Sequence, residues 1–280
     1  MNQETRRDII IFLVVIVSAF LIYQNKGGAD SNKDAANTLA LREQEKAQVF
    51  FEDLSIEAKS GYVWDVSRDK VIFDRNSKEQ LPLASITKIM TAIVAKENFD
   101  EGNKGFQKEK LGGLMTAMLV ESNNEAASTI AQTIETSGAI SFVGQMNKKA
   151  GELGLDKTIF SNPTGLDLSN SSAGAYGSAE EVAKLLVYGY QKYPDVFGIT
   201  KNYEVDVDGK TIINKDELVK KFPNIMAGKT GLTNLAGGNL ALLFGDTQHM
   251  FAIVVLGSSE RGRFDDVEKL IGAITKYLQP

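Results

Sequence analysis

The chain has 280 residues, 43% of them apolar and 24% charged, enough for a sizeable core in one large or two small domains. A formal net charge of -5, with no basic stripe anywhere, argues against nucleic acid as a partner. Cysteine is absent and His249 is the single histidine, which excludes disulfides, cysteine-ligated zinc, thiol catalysis and histidine-rich metal sites.

Residues Ile9 to Tyr23 form an uncharged apolar run behind Arg6 and Arg7. As a helix it would reach roughly 22 Å, short of a bilayer core of about 30 Å unless its flanks help. It reads as an uncleaved signal anchor or a cleaved signal peptide, and Tyr23-Gln24-Asn25-Lys26 after it offers no small-x-small cleavage site. The preceding arginines favour an inside N-terminus, so 1–26 is the expected membrane contact and the rest is expected in the cell envelope, or secreted if cleaved. Residues 27–48 are polar and read as a tether, leaving 49–280 as the folded domain.

Within that domain, Ile56 to Val66 and Val71 to Asp74 predict two strands joined by the polar turn Ser67-Arg68-Asp69-Lys70. Apolar periodicity predicts helices over Ala84–Glu97, Leu111–Val120, Ala126–Thr136 and Ser141–Leu153, with Asn98 to Gly105 as a polar break. Asn162-Pro163-Thr164-Gly165-Leu166 is a turn, and Ser178 caps a helix over Ala179–Tyr190. Leu240–Phe244 and Met250–Leu256 form a hairpin, and Phe264–Leu278 closes the chain as a helix. Strands at both ends around a helical middle predict an α+β fold: one antiparallel sheet shared by the two ends, with an inserted all-helical lobe. The cleft between them is the natural site.

Three short constellations carry chemistry. Ser85 and Lys88 stand three apart at the start of an apolar-periodic run, so on a helix they share a face. Ile89, Ala92 and Ile93 would bury that helix and desolvate the lysine, lowering its pKa until it could take the serine proton. The bland alternative is a helix-start serine with a surface lysine, and Ser67 with Lys70 repeats the spacing inside a turn. Ser122-x-Asn124 between two apolar helices is either a simple cap or a hydroxyl and carboxamide projecting into the cleft. Lys229-Thr230-Gly231 before the last hairpin is either an ordinary turn or a cation and hydroxyl on an edge strand, suited to a substrate carboxylate, with glycine admitting substrate close to the backbone.

In this order the three motifs match the known signature of penicillin-binding proteins and class A β-lactamases. From about Leu54 to Lys276 the sequence resembles the D-alanyl-D-alanine carboxypeptidase family, low-molecular-mass penicillin-binding serine peptidases. The resemblance rests on 83–92, on 118–127, on Phe160-Ser161-Asn162-Pro163-Thr164-Gly165-Leu166 and on 228–237. It implies a β-lactamase/transpeptidase-like fold and an acyl-enzyme on Ser85 formed from a peptidoglycan stem peptide, or from a β-lactam as covalent inhibitor. It also implies Lys88 as base, Ser122 and Asn124 as proton relay and orienting group, and Lys229 and Thr230 as carboxylate holders in the Lys229-Thr230-Gly231 motif. The N–H groups of Ser85 and Leu232 would form the oxyanion hole. No metal or organic cofactor is implied.

Several departures qualify the resemblance. The stretch from Lys88 to Ser122 is shorter than in the family and lacks the usual hairpin; Thr164 stands where histidine is common; no β-rich C-terminal domain is expected after the closing helix. A Glu-x-x-Leu-Asn segment is missing after the middle motif, which disfavours a class A β-lactamase. A D,D-endopeptidase and a non-catalytic cell-wall-binding or penicillin-binding relative are the alternatives.

Overall fold

A computed structural model describes residues 50–51, 54–100, 102, 108–137, 141–246 and 248–279. Contacts divide the chain into Met1–Val49 and Phe50–Pro280. The first unit lies wholly outside the described residues, and with it the expected membrane segment Ile9–Tyr23 and the polar tether. Among the described residues, no helix is long and apolar enough to cross a membrane.

The apolar runs of the C-terminal half become the middle of a sheet because both of their faces are covered. In chain order the strands are β1 (Ser60–Asp65), β2 (Lys70–Arg75), β3 (Leu81–Pro82), β4 (Ile159–Phe160), β5 (Ala175–Gly177), β6 (Glu204–Val207), β7 (Lys210–Ile213), β8 (Ile225–Thr233), β9 (Gly237–Gly245) and β10 (Met250–Ser258). The main sheet has five antiparallel strands in the order β2-β1-β10-β9-β8, so strands from both ends of the domain pair directly, Val63 opposite Ile253. On β10, Ala252, Val254 and Leu256 belong to the core shared with the helical lobe. The alternating residues Ile253 and Val255 are just as buried, facing the other way toward the closing helix Gly262–Leu278, which packs on β9 and β10.

Asp266 on that closing helix ties the ends of the domain together. Its Oδ1 accepts from the Glu57 N–H at 2.8 Å, and its Oδ2 from the Ala58 N–H and the Ser258 hydroxyl, both at 2.8 Å. Segment Ile56–Lys59 is therefore fixed by this carboxylate, and the first strand starts at Ser60 instead of Ile56.

Inserted between β2 and β8 is the helical lobe: Lys88–Asp100, Lys108–Thr116, Asn124–Ser137, Phe142–Glu152 and Ala179–Lys192, followed by a short helix at Pro194–Phe197. Ser178 caps the helix that follows it, its hydroxyl accepting from the Glu181 N–H at 3.3 Å. The small sheet β3-β5-β4 and the hairpin β6–β7 lie outside what periodicity predicted. Both have strands of four residues or fewer, too short for a period-two pattern to register. The β6–β7 hairpin leans on the helix Lys108–Thr116, where a Cβ on Gly113 would stand 3.2 Å from Val207 Cγ1. The stretch between Lys88 and Ser122 shows helix and, at Gly102, a turn, with no strand among its described residues; 101 and 103–107 lie outside them.

Candidate active site

Ser85 does not sit on an α-helix. It lies in a 3-10 turn, Ala84–Thr87, and the α-helix begins at Lys88. A 3-10 turn eclipses residues i and i+3, aligning the serine with the lysine more directly than an α-turn would. The turn is held under strain, because Ala84 adopts the left-handed region at φ 48°. Two neighbours brace it. Gly165, itself at φ 79°, leaves room for the Ala84 carbonyl, which a Cβ there would approach to 1.8 Å. Asn239 on β9 donates through Nδ2 to the Pro82 carbonyl at 2.9 Å and accepts from the Gly257 N–H at 2.8 Å.

Lys88 is fully buried, and its Nζ has three partners: Ser85 Oγ at 2.8 Å, Asn124 Oδ1 at 2.7 Å and the Thr164 carbonyl at 2.8 Å. Loss of water pushes its pKa down to about 7. The partner set suits the neutral amine. Two partners are acceptors only, so a neutral amine could donate its two hydrogens to them and keep its lone pair for the Ser85 proton. Ser85 itself is half-buried and open to a substrate.

The Thr164 carbonyl is presented by the 162–166 turn. Asn162 Oδ1 accepts from the Thr164 and Gly165 N–H groups at 3.1 and 2.7 Å, and the Thr91 hydroxyl donates to the Pro163 carbonyl at 2.7 Å. Sequence reasoning assigned no catalytic role here. The contact is made by a backbone oxygen, so the change from histidine to threonine leaves it in place, and only the Asn-Pro turn signal pointed to it.

The predicted helix Leu111–Val120 is also corrected: the α-helix ends at Thr116, and Ala117–Glu121 forms a π turn. This wider turn delivers Ser122 in the left-handed region, φ 64°, at the cleft. Asn123 Oδ1 accepts from the Ala126 N–H at 2.9 Å and starts the next helix, whose first residue, Asn124, reaches Lys88. The Ser122 hydroxyl accepts from Lys229 Nζ at 2.9 Å, and that nitrogen also donates to the Thr230 carbonyl at 3.0 Å. As an ammonium, Lys229 would keep one more hydrogen for a ligand. Lys229 is buried and its pKa is lowered, first by loss of water and then by the cations Lys88 and Arg263.

Lys229 and Thr230 lie on β8, the sheet edge, as expected. Gly231 has a different purpose from the one its sequence suggested. The space a side chain would fill is taken by the protein itself, with the Leu83 carbonyl 2.9 Å and Ala84 Cβ 3.2 Å from the position of a Cβ. Gly231 thus lets β8 close on the nucleophile turn. Leu232 follows with its side chain exposed at the cleft rim. Hydrogen bonds therefore join Ser85, Lys88 and Asn124 in one set and Ser122, Lys229 and the Thr230 carbonyl in a second, the two lysines being close enough to feel each other's charge, while Ser67 and Lys70 stand apart where β1 turns into β2.

The chain is similar to known proteins in both sequence and fold. A family profile described as D-alanyl-D-alanine carboxypeptidase matches residues 44–107 and 104–260. D-alanyl-D-alanine carboxypeptidase DacF of Bacillus subtilis is 32% identical over 212 residues, covering 66% of this chain and 53% of its own length. A D-alanyl-D-alanine endopeptidase of Pseudomonas aeruginosa is 31% identical over 65% of this chain and 66% of its own. The chain thus spans about half the length of the Bacillus relative. Penicillin-binding protein D2 of Listeria monocytogenes, solved in a cefotaxime-bound form, shares the fold, with a TM-score of 0.70 at 24% identity over 79% of this chain and 98% of that one. Sequence match and shared fold together place this chain in the D-alanyl-D-alanine carboxypeptidase family.

Proposed function

We propose that the domain is a serine-type D-alanyl-D-alanine carboxypeptidase that trims peptidoglycan stem peptides outside the cytoplasm. The observation that carries this reading is the buried Lys88 amine, bonded to Ser85 Oγ at 2.8 Å, with its pKa brought down to about 7 by loss of water. Lys88 takes the hydroxyl proton as Oγ attacks the carbonyl of the penultimate D-Ala. The negative charge that develops on the carbonyl oxygen is held by backbone N–H groups, for which Ser85 and Leu232 are the candidates. Lys229 and Thr230 hold the terminal carboxylate. As the peptide bond breaks, the Ser122 hydroxyl passes its proton to the departing D-Ala nitrogen and is repaid by the proton that Lys88 took from Ser85. This leaves Lys88 neutral again, with Asn124 orienting Lys88 and the acyl chain. Water then attacks the ester and frees Ser85. A β-lactam would acylate Ser85 by the same route, with its ring nitrogen as the leaving group still attached.

Fluorescent penicillin provides the test. Covalent labelling of the wild type, abolished in Ser85→Ala, is the expected result. Labelling that survives Ser85→Ala would overturn the nucleophile assignment, and an unlabelled wild type would favour a non-catalytic cell-wall-binding module. The relative named as an endopeptidase supports a second reading, cleavage of peptide cross-links. Release of D-Ala from a pentapeptide, measured against cleavage of a cross-linked dimer, separates the two peptidases. We also propose that 1–26 anchors the domain, 49–280, through the tether 27–48. An intact mass of the membrane-extracted protein lacking Met1 to Lys26 would make that segment a cleaved leader instead.

A further inference from the structure

Behind β8 lies a buried acid that the mechanism above does not use. Asp216 is 2% exposed, and its Oδ2 makes no hydrogen bond; nor does Arg263 Nε, buried on the closing helix beside it. Asp216 is rigidly set. Its Oδ1 accepts from the Leu218 N–H at 3.0 Å and caps the turn Glu217–Lys220, and its N–H donates to Asn214 Oδ1 at 2.9 Å. The Asn214 amide is fixed in turn on the Thr200 and Asn202 carbonyls at 2.7 and 2.9 Å. The Thr200 hydroxyl closes this frame onto the functional strand by accepting from the Gly228 N–H at 2.9 Å. The orphaned Oδ2 stands 3.3 Å from where a Gly228 Cβ would be, one residue before Lys229.

The charges around the pair are unequal. Lys229 is faced by three basic residues, Lys88 at the start of helix Lys88–Asp100, Arg263 on the closing helix and Lys215 in the preceding loop; Asp216 is the acid among these neighbours. Asp216 in turn is faced by Lys229, Arg263 and Glu217.

We propose that Asp216 is a positioning residue for the carboxylate-binding strand: its buried carboxylate is the counter-charge that keeps Lys229 an ammonium while Lys88 next to it is a neutral amine. The two lysines need opposite protonation states to work together, yet both are buried. Burial raises the Asp216 pKa to about 6, and the Leu218 N–H and the charge of Lys229 work against that rise. The same burial leaves its charge little screened. Helix-cap chemistry alone does not need an acid at this position, since asparagine caps as well as aspartate.

The inference rests on the proposed function in giving Lys229 a carboxylate to hold and Lys88 the part of base, and Asp216→Asn on the full chain tests it in two ways. First, 13Cε-lysine NMR follows the titration of Lys229, with Lys229→Gln identifying its resonance. Lys229 should deprotonate at lower pH in Asp216→Asn than in the wild type, and an unmoved titration overturns the proposal whether or not the protein reacts with penicillin. Second, the alkaline limb of the penicillin acylation profile should move to lower pH. The rate should fall on the order of tenfold at a pH one unit into the shifted limb, while the limb set by Lys88 stays in place. A profile that keeps its shape while the melting temperature drops would reduce Asp216 to a cap. A rate that rises at every pH would make Asp216 a competitor of the substrate carboxylate; either result overturns the proposal. An unlabelled wild type would count against the peptidase reading alone. If Asp216→Asn does not fold, Asp216→Ser retains a capping hydroxyl without the charge and is measured in the same way.

Discussion

Lys88 joins burial, a lowered pKa and a serine partner in one side chain, and the pH dependence follows from the sign of its shift. Its pKa falls from 10.5 to about 7 on burial, so the neutral, proton-accepting form dominates above pH 7 and the ammonium below it. Acylation of Ser85 by penicillin should therefore climb tenfold per pH unit below about 7 and level off above it, until the alkaline limb set by Lys229 begins. A stopped-flow or gel-based pH series measures this; a profile flat from pH 5 to 8 would remove Lys88 as the base. Arginine in its place cannot lose its proton in the accessible range, so Lys88→Arg should lower the acylation rate by on the order of a thousandfold or more.

At the scale of elements, the site is assembled where pieces of backbone come closer than side chains allow. The strained turn at Ala84 is held on one side by Gly165 and on the other by Gly231. Gly231→Ala would bring a methyl within 2.9 Å of the Leu83 carbonyl, forcing β8 away from the nucleophile turn. We expect a loss of about 1–3 kcal/mol in stability from this overpacking. The acylation rate should fall on the order of a hundredfold, because Lys229 and Ser122 shift relative to Ser85. Gly165→Ala meets a worse obstacle, a Cβ contact of 1.8 Å at φ 79°, and should lose more than Gly231→Ala in both measures. Equal melting temperatures and labelling rates for wild type and Gly231→Ala would show that the close approach is not required.

For the whole molecule, the sheet is closed by strands from both ends of the domain, and the carboxylate of Asp266 is the tie that seats the first of them. Asp266→Ala would strand two backbone N–H groups and one hydroxyl now bonded at 2.8 Å. Each buried donor left unmade costs about 1–3 kcal/mol, so a loss of several kcal/mol and a fall in melting temperature on the order of 10 °C are expected. None of these groups touches the Ser85 cluster, so labelling by penicillin at low temperature should be retained. A melting temperature within 2 °C or so of the wild type would show that Ile56–Lys59 is held by other contacts.

Local information was enough for the elements with a long period and for pairs close in sequence. Ser85 and Lys88 could be paired because three residues of helical backbone fix their relation, and the antiparallel sheet could be anticipated because long apolar runs at both ends need a shared interior. Residues whose value depends on distant neighbours were legible only through family resemblance or not at all. Ser122 meets Lys229 across 107 positions, and Asn124 and Thr164 reach Lys88 across 36 and 76. Asn239 and Asp216 carried no signal, since a polar residue in a strand or a loop looks the same whether solvated or buried. The sequence by itself determined which side chains could do the chemistry. Tertiary structure decided that Lys88 is dry, that a backbone carbonyl is one of its partners, and that the gap at Gly231 is filled by the protein's own nucleophile turn. The reason is physical: desolvation, charge coupling and steric closeness depend on which atoms pack around a group, and those atoms come from every part of the chain.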